Sequence, residues 1–253
     1  MLIKALAAAA GNAQAYQLTN SLQFDRADEA YLGRSVSATN RDLWTFSAWV
    51  KRLSAGTFQH IFTAANDADD FSYVSFQADN KIAVTSSWGG STAAYVYTSA
   101  TYSTGSWIHL TVVFDLSQAT NDRIKIYTDG VLQTVTVSTA ANTDINQHYI
   151  NSSNPHRIGV RDRAGSRDNS IDALLADINF IDDQAVGPEN FGRDNGGSWV
   201  WSAYSGTYGT NGFHLLFDDA TSTTTLGTDS SGNGNNWTLF NFATTDQKTD
   251  IPA

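Results

Sequence analysis

One stretch, residues 106–136, constrains the fold more than any other part of the sequence, because its apolar residues recur at every second position. In residues 107–114, one face of a strand is apolar and the other is only half polar, which is typical of a strand inside a sheet. The apolar face carries Ile108, Leu110, Val112 and Phe114. Residues 123–128 also alternate, and Asp129-Gly130 supplies the positive-φ pair of a hairpin turn before a return strand at 131–137. The stretch predicts an antiparallel meander without a helix.

The same alternation predicts further strands on both sides of this meander. They are expected at residues 22–24, 31–32, 43–52, 58–65, 71–85 with a turn at Asp79-Asn80, 94–99, 157–160 and 212–217. Residues 170–186 fit a helix through their 3.6-residue spacing and a strand through their alternation, and the β-rich surroundings favour the strand. The Gly-, Asn- and Trp-rich segments 198–210 and 228–242 are predicted to be ordered loops.

The chain length favours one large β-sandwich over residues 20–253, and the composition limits what it can bind. A chain of 253 residues is within the range of a single all-β domain. It contains no cysteine, which excludes disulfides, thiolate zinc sites and cysteine nucleophiles. The net charge of −10, without a run of Lys or Arg, argues against a nucleic-acid partner.

The first 19 residues differ in composition from the rest and predict a short apolar arm. Leu2, Ile3 and Leu6 with an alanine run suggest a helix that ends at Gly11 and anchors the protein to an assembly partner. A signal peptide with a cleavage site around Ala13–Ala15 is the alternative. The apolar run is too short to span a membrane.

Several segments together resemble a known family. They are W-x-H-x5-D at 107–115, R-I-K-I-Y-T-D-G at 123–130, LLADINFIDDQAVGPENFG at 174–192, and GFHLLF at 212–217 followed by TLGTDSSGNGNNWT at 225–238. In order and joint presence they resemble the laminin-G-like, or concanavalin A-like, jelly-roll domains of tailed-bacteriophage structural proteins. The resemblance covers roughly residues 21–242. It implies an all-β antiparallel jelly-roll β-sandwich in a non-enzymatic protein.

No constellation in the sequence predicts catalysis. The same fold is found in glucanases, whose paired carboxylates alternate along one strand so that both face the same glycosidic bond. The nearest acids here, Asp177, Asp182 and Asp183, have the wrong spacing. The five histidines are scattered and include no i, i+4 pair. The sequence predicts no cofactor other than calcium at one loop.

That loop is Asp229-Ser230-Ser231-Gly232-Asn233-Gly234, which matches the start of an oxygen-ligand pattern. Asp229, Ser231 and Asn233 are the candidate calcium ligands. Phe240 stands where an EF-hand needs a bidentate Glu, so the loop is not an EF-hand. The alternative is a tight turn in which Asp and Asn side chains cap the backbone.

Loop aromatics are the candidates for sugar binding, because apolar sugar faces stack on rings while hydroxyls need hydrogen bonds. The candidates are Trp88, Trp199, Trp201, Tyr204 and Tyr208. Packing of these rings against the sandwich is the alternative, as expected for Trp44, Trp49 and Trp107 on strands.

The resemblance implies a location on the surface of a bacteriophage particle, as capsid decoration or a short head fibre. Its partners would be the major capsid or tail protein and, because virion proteins assemble symmetrically, further copies of itself, a trimer being one option. The alternative is a tail fibre, spike or lectin-like module that binds host-surface glycans. A secreted bacterial lectin or adhesin, cleaved near Tyr16, is a third interpretation.

Overall fold

The structure is a computed structural model that describes residues 18–163 and 165–252. The described residues form twenty strands and one short α-helix. The strands in the first part of the chain are β1 (Ser21–Phe24), β2 (Tyr31–Arg34), β3 (Leu43–Arg52), β4 (Gln59–Ala65), β5 (Phe71–Phe76), β6 (Ile82–Trp88), β7 (Ser91–Thr98), β8 (Trp107–Asp115), β9 (Ile124–Thr128), β10 (Val131–Leu132), β11 (Val135–Thr139) and β12 (His156–Ile158).

The remaining elements are shorter, with one exception. They are β13 (Arg161–Arg163), β14 (Ser166–Asp168), β15 (Ala173–Asp182), β16 (Gly192–Asn195), β17 (Ser198–Trp201), β18 (Phe213–Leu215), α1 (Thr223–Leu226), β19 (Thr238–Phe240) and β20 (Gln247–Lys248). The exception, β15, spans the segment whose alternation competed with a helical spacing, so the strand prediction is confirmed. The helix α1 is too short to span a membrane, and no other described helix is long and apolar enough to do so.

Two antiparallel sheets stack face to face, which confirms the predicted all-β sandwich. Sheet A has the order β10-β9-β8-β3-β15-β1-β20, with β18 also paired to β15. Sheet B has the order β11-β7-β6-β5-β4-β12-β2-β19. Two hairpins, β13–β14 and β16–β17, lie outside the sheets. The predicted loops at 198–210 and 228–242 are wrong in two places, because they contain β17 and β19.

The predicted meander forms one end of sheet A, where β10 is the edge strand. Strand β8 pairs with β3 from Trp107 to Asp115, and its other edge pairs with β9. Asp129 and Gly130 have φ angles of 49° and 77°, so the tight turn is where the sequence places it. The continuous return strand is wrong, because β10 ends at Leu132. The chain then crosses to sheet B, where β11 pairs with β7.

The core lies between the sheets and is built from the predicted apolar faces. From β3 it contains Trp44, Phe46, Ala48 and Val50, and from β8 it contains Leu110, Val112 and Phe114. The rings of Phe46 in sheet A and Phe62 in sheet B stack at 5.0 Å across the interface. Alternation therefore orients the inner faces inward and leaves two outer faces, which differ in what covers them.

Of the predicted N-terminal arm, only Leu18 and Thr19 are described. Leu18 is buried against Trp49 and Ala176 on the outer face of sheet A. The candidate anchor residues Leu2, Ile3 and Leu6 lie outside the described part of the chain.

Candidate functional site

The outer face of sheet A is covered by a third layer, residues 187–208. Trp199 and Trp201 on β17 pack against Trp49 and Ala176 of the sheet. Further along the face, Phe191 and Tyr208 are buried against Ile181. The two tryptophans therefore pack partly against the sheet, and their role in sugar binding stays a prediction.

Trp199 is fastened to the sheet by a hydrogen bond. Its Nε1 donates to Nδ1 of His109 at 3.0 Å, and Nε2 of His109 lies 2.8 Å from Oγ of Ser47. Since Nδ1 accepts, Nε2 carries the proton and donates to the Ser47 hydroxyl. Burial lowers the pKa of His109 from 6.5 to about 4. This histidine is thus neutral and structural at pH 7.

The ring of Trp199 also fits between two glycines. A Cβ at Gly130, in the β9–β10 turn, would overlap the ring, and so would a Cβ at Gly192 on β16. The close approach of the third layer therefore depends on the absence of side chains at two positions far apart in sequence.

Tyr204 and Tyr208, two of the predicted sugar-binding residues, line a common cleft of about 550 Å³ together with His214 and Ser231. Tyr208 is mostly buried, and its hydroxyl donates to Oδ1 of Asn179 at 3.0 Å. The ring of Tyr204 stacks on Phe191 at 5.1 Å. Both rings already have packing partners, which leaves less ring surface for a sugar.

Trp88 lies apart from the other four predicted residues, at the β6–β7 hairpin of sheet B. It is 48% exposed and precedes Gly89 and Gly90, whose positive φ angles form the turn. The five predicted aromatic residues therefore lie in three places. Trp199 and Trp201 pack on sheet A, Tyr204 and Tyr208 line a cleft beside it, and Trp88 is at the β6–β7 hairpin.

Among the described residues, no third layer covers most of the outer face of sheet B. Antiparallel pairing aligns one row of residues across seven strands. In order from β7 to β19 the row is Tyr95, Thr85, Tyr73, Thr63, Arg157, Gly33 and Thr238.

The β13–β14 hairpin forms a ridge that divides this face into two clefts. Oγ1 of Thr63, in the middle of the row, donates to the carbonyl of Val160 at 2.9 Å, where the chain enters the hairpin. Arg161 on the ridge makes a two-point ion pair with Asp168, with bonds of 3.0 and 2.9 Å. Its guanidinium also lies 4.8 Å from the ring centre of Phe71. The ridge is thus held by charge, hydrogen bonding and ring contact.

The first cleft, here called the aromatic cleft, lies over β5, β6 and β7 and has a volume of about 370 Å³. Its apolar lining includes Phe58, which is 42% exposed, and the stacked pair of Phe71 and Tyr73 at 5.3 Å. Tyr95 completes the aromatic lining. The cleft ends at Gly90, in the turn that carries Trp88.

Polar groups are interleaved with these rings. Nε2 of Gln77 donates to the Tyr95 hydroxyl at 2.6 Å, so this hydroxyl keeps its own proton for a further acceptor. Thr85 and Ser87 lie between the aromatic strands on β6. Rings beside hydroxyl and amide groups are the arrangement that a sugar requires.

The loop proposed for calcium is closed by its own hydrogen bonds. Both carboxylate oxygens of Asp229 accept two hydrogen bonds each, from His214, Ser231 and Asn235. The side-chain amide of Asn233 donates to the carbonyl of Gly209 at 2.7 Å. Donors directed at Asp229 fit the capped turn better than a cation. No cluster of three acidic or histidine side chains suited to a metal occurs in residues 18–163 and 165–252. The choice between a calcium site and a capped turn, both predicted from the sequence, is left to experiment.

Comparison with known proteins identifies the family. Residues 24–190 match the model of Laminin_G_3, the concanavalin A-like lectin/glucanases superfamily. The chain belongs to this family. No curated protein matches it in sequence.

Solved structures share the fold of this Laminin_G_3 domain. A candidate carbohydrate-binding protein from Bacteroides ovatus superposes with a TM-score of 0.55 at 12% identity, covering 88% of this chain and 58% of that one. A variant of NanB sialidase from Streptococcus pneumoniae gives a TM-score of 0.51 at 12% identity, covering 87% of this chain and 38% of that one. Because the chain spans 58% and 38% of their lengths, the likeness concerns the fold and not the whole proteins.

The acids considered for glycosidase chemistry are engaged in structural contacts. Oδ1 of Asp177 lies 2.7 Å from Nε2 of His214. Asp182 accepts hydrogen bonds from Thr39, Asn151 and the backbone of Asn211, and burial raises its pKa. The Asp177 contact joins β15 to β18, and the Asp182 contacts bind loop residues to the end of β15. Both carboxylates are therefore engaged in holding sheet A and its loops together.

The cleft on the outer face of sheet B was not predicted from the sequence. The signal was present, because Phe71 and Tyr73 on β5, and Tyr95 and Tyr97 on β7, are aromatic at every second position. An aromatic stripe opposite the core-facing side of a strand predicts exposed rings. Recognising a cleft also requires knowing that β6 lies between these two strands.

Proposed function

We propose that this chain is a non-enzymatic, lectin-like carbohydrate-binding protein and that the aromatic cleft binds a glycan. One observation carries the proposal. The outer face of sheet A is covered by a third layer, whereas the outer face of sheet B presents rings and hydrogen-bonding groups in an open cleft. The volume of about 370 Å³ is in the range of small-ligand sites. Membership of a lectin and glucanase superfamily is consistent with this function.

The test is a glycan array with the folded chain, followed by calorimetry on the ligands that bind. Tyr95→Ala should weaken binding by about tenfold, because a central aromatic contact contributes more than about 1 kcal/mol. Tyr127→Ala, which removes a half-buried ring from β9 of sheet A, is the matched control and should bind normally.

Tyr204→Ala tests the residues that the sequence suggested. If this substitution abolishes binding while Tyr95→Ala does not, the site is the cleft of Tyr204 and Tyr208. A flat array with folded protein, with and without calcium, would reject glycan binding altogether.

Location on a bacteriophage particle is a separate proposal that rests on the sequence resemblance alone. It includes assembly with capsid or tail proteins and with further copies of the chain. Host-surface glycans would then be the ligands of the aromatic cleft. A cryo-electron map of the intact particle tests it, and absence of the chain from the particle would reject it.

A further inference from the structure

A second cleft lies on the other side of the β13–β14 ridge, over β12, β2 and β19. It has a volume of about 530 Å³ and is lined chiefly by polar groups, including Arg34, Arg157 and Asn235, with Phe240 at its edge. We call it the arginine cleft. It continues the same row of aligned residues, and Arg157 is two strand spacings, on the order of 10 Å, from Tyr73.

Arg157 is only partly neutralised by its neighbours. Its Nη1 donates to the carbonyl of His156 at 3.0 Å, and its Nη2 is 3.5 Å from Oδ2 of Asp162, at the outer limit of a hydrogen bond. Its Nε is buried, so the donors that can reach a ligand are the remaining N–H groups on Nη1 and Nη2. A guanidinium has five N–H donors, so Arg157 retains donors for an anionic group.

Arg34 supplies a second positive charge in a fixed position. Its Nη1 donates to the carbonyl of Asn211 at 2.9 Å, and its Nη2 donates to the side chain of Asn235. Neither partner is a carboxylate. Its hydrogen-bond partners are therefore neutral, and the carboxylates of Asp229 and Asp182 attract the charge without a hydrogen bond to it.

An aromatic surface lies beside these charges. Phe240 is 39% exposed and stacks on Tyr31 at 4.6 Å, with the rings 6° from parallel. The guanidinium of Arg157 lies 5.9 Å from the centre of the Tyr31 ring. Gly33 forms the floor between them, since a Cβ there would lie 3.0 Å from Phe240 and 3.3 Å from Arg157.

The location of these charges is unusual for an acidic chain. The net charge is −10, yet Arg157, Arg161, Arg163 and Arg167 occur within eleven residues. Arg161 and Arg163 pair with Asp168 on the ridge, and Arg167 lies 3.9 Å from Glu29. Among carboxylates of the described residues, Arg157 has only the 3.5 Å contact with Asp162, and it lines the cleft. Guanidinium recognises carboxylate and sulfate oxygens through paired N–H donors.

We propose that the arginine cleft binds a sugar unit that carries an anionic substituent, with the anion at Arg157 and the sugar ring at Phe240. This inference rests on the proposed function, since it names the class of glycan that the outer face of sheet B takes. The two clefts would then bind neighbouring units of one acidic glycan on either side of the ridge.

The test uses three sugars that differ only at carbon 6: glucose, glucuronic acid and glucose 6-sulfate. Binding to the full chain is followed by NMR titration at low salt. Glucuronic acid or glucose 6-sulfate should bind at least about tenfold more tightly than glucose, and added salt should reduce the difference. The two anionic sugars distinguish a carboxylate ligand from a sulfate ligand.

Arg157→Gln should abolish the preference for the anionic sugars. Arg193→Gln, which removes an exposed arginine from β16 beside sheet A, is the matched control and should preserve it. Thermal melts verify that each variant is folded. Gly33→Ala is a second variant, which narrows the cleft without removing a charge and should weaken binding of all three sugars there.

Equal binding of the three sugars, no binding of the anionic ones, or an unchanged preference in Arg157→Gln would overturn the inference. None of these results would reject glycan binding in the aromatic cleft, which the glycan array and the Tyr95→Ala variant test separately. Conversely, loss of anion preference in Arg157→Gln together with an unaffected Tyr95→Ala variant would support the arginine cleft and reject the aromatic one.

Discussion

The indole of Trp199 donates a hydrogen bond from Nε1 to Nδ1 of the buried His109 at 3.0 Å. This bond joins the third layer to β8 of sheet A. It also fixes the tautomer of His109, whose other nitrogen then donates to Ser47. Trp199, which the sequence made a candidate for sugar binding, therefore holds the third layer on sheet A.

Replacing this donor should destabilise the fold. Trp199→Phe leaves Nδ1 of His109 buried without a partner, which costs about 1–3 kcal/mol of unfolding free energy. Denaturant unfolding measures the loss. Trp88→Phe is the control, because Trp88 is exposed, and its effect should stay within about 0.5 kcal/mol. Equal stability of the two variants would argue against the bond.

A side chain at Gly192 should disturb the same contact by steric overlap. Gly192→Ala places a Cβ against the Trp199 ring, and such overpacking typically costs about 1–3 kcal/mol. Gly192 does not have a positive φ angle, so backbone strain does not contribute. Gly197→Ala is the control for backbone strain, because Gly197 has a φ of 92° and no atom near the added Cβ. Comparing the two variants separates steric overlap from backbone strain. Intrinsic tryptophan fluorescence should change in Gly192→Ala only.

Stability should fall as the pH decreases from 7 to 5. Burial lowers the pKa of His109 from 6.5 to about 4, so the unfolded chain binds its proton in this interval and the folded chain does not. The unfolded state therefore gains about 2 kcal/mol from this group by pH 5. His60 and His156, with pKa values lowered by burial to about 3, act in the same direction.

The contribution of His109 can be isolated with His109→Gln. The amide offers a donor to Ser47 and an acceptor to Trp199 but does not titrate. The free energy of unfolding is measured at pH 7 and at pH 5 for both chains. The loss between these two pH values should be about 2 kcal/mol smaller in the variant than in the wild-type chain. An unchanged pH dependence would mean that His109 is not the group responsible.

Calcium should leave the thermal midpoint unchanged. Both oxygens of Asp229 already accept hydrogen bonds from the loop, so a cation would have to displace these donors. Melting curves with millimolar calcium or with a chelator should coincide, whereas Asp229→Ala should lose about 1–3 kcal/mol. A midpoint that rises with calcium concentration would establish the metal site instead.

The parts of the fold that follow from local patterns could be predicted. Alternation placed Leu110 and Val112 in the core, and Asp129-Gly130 gave the turn its position. The local pattern of β15 fits both a helix and a strand. Its pairing with β1 and β3 on either side, which is not a local property, decides in favour of the strand. Crossing of the chain from β10 to β11 has no local signal, since both segments alternate.

The candidate site was harder to predict, because it depends on strand order. Tyr95, Tyr73 and Arg157 belong to three strands distant in sequence and meet only in the order β7-β6-β5-β4-β12. The direction of Trp199 likewise depends on Gly130, far away in the chain. Residue type indicated which rings could bind a sugar, whereas long-range pairing decides which of them are exposed.

The β13–β14 hairpin has a consequence for how binding preference could diverge among relatives. The hairpin follows β12 in the chain and precedes β15, and its strands belong to neither sheet. Insertions or deletions there leave the core and strand register intact. A shorter hairpin would merge the two clefts into one continuous trough for a long polymer, and a longer one would isolate them for separate short ligands.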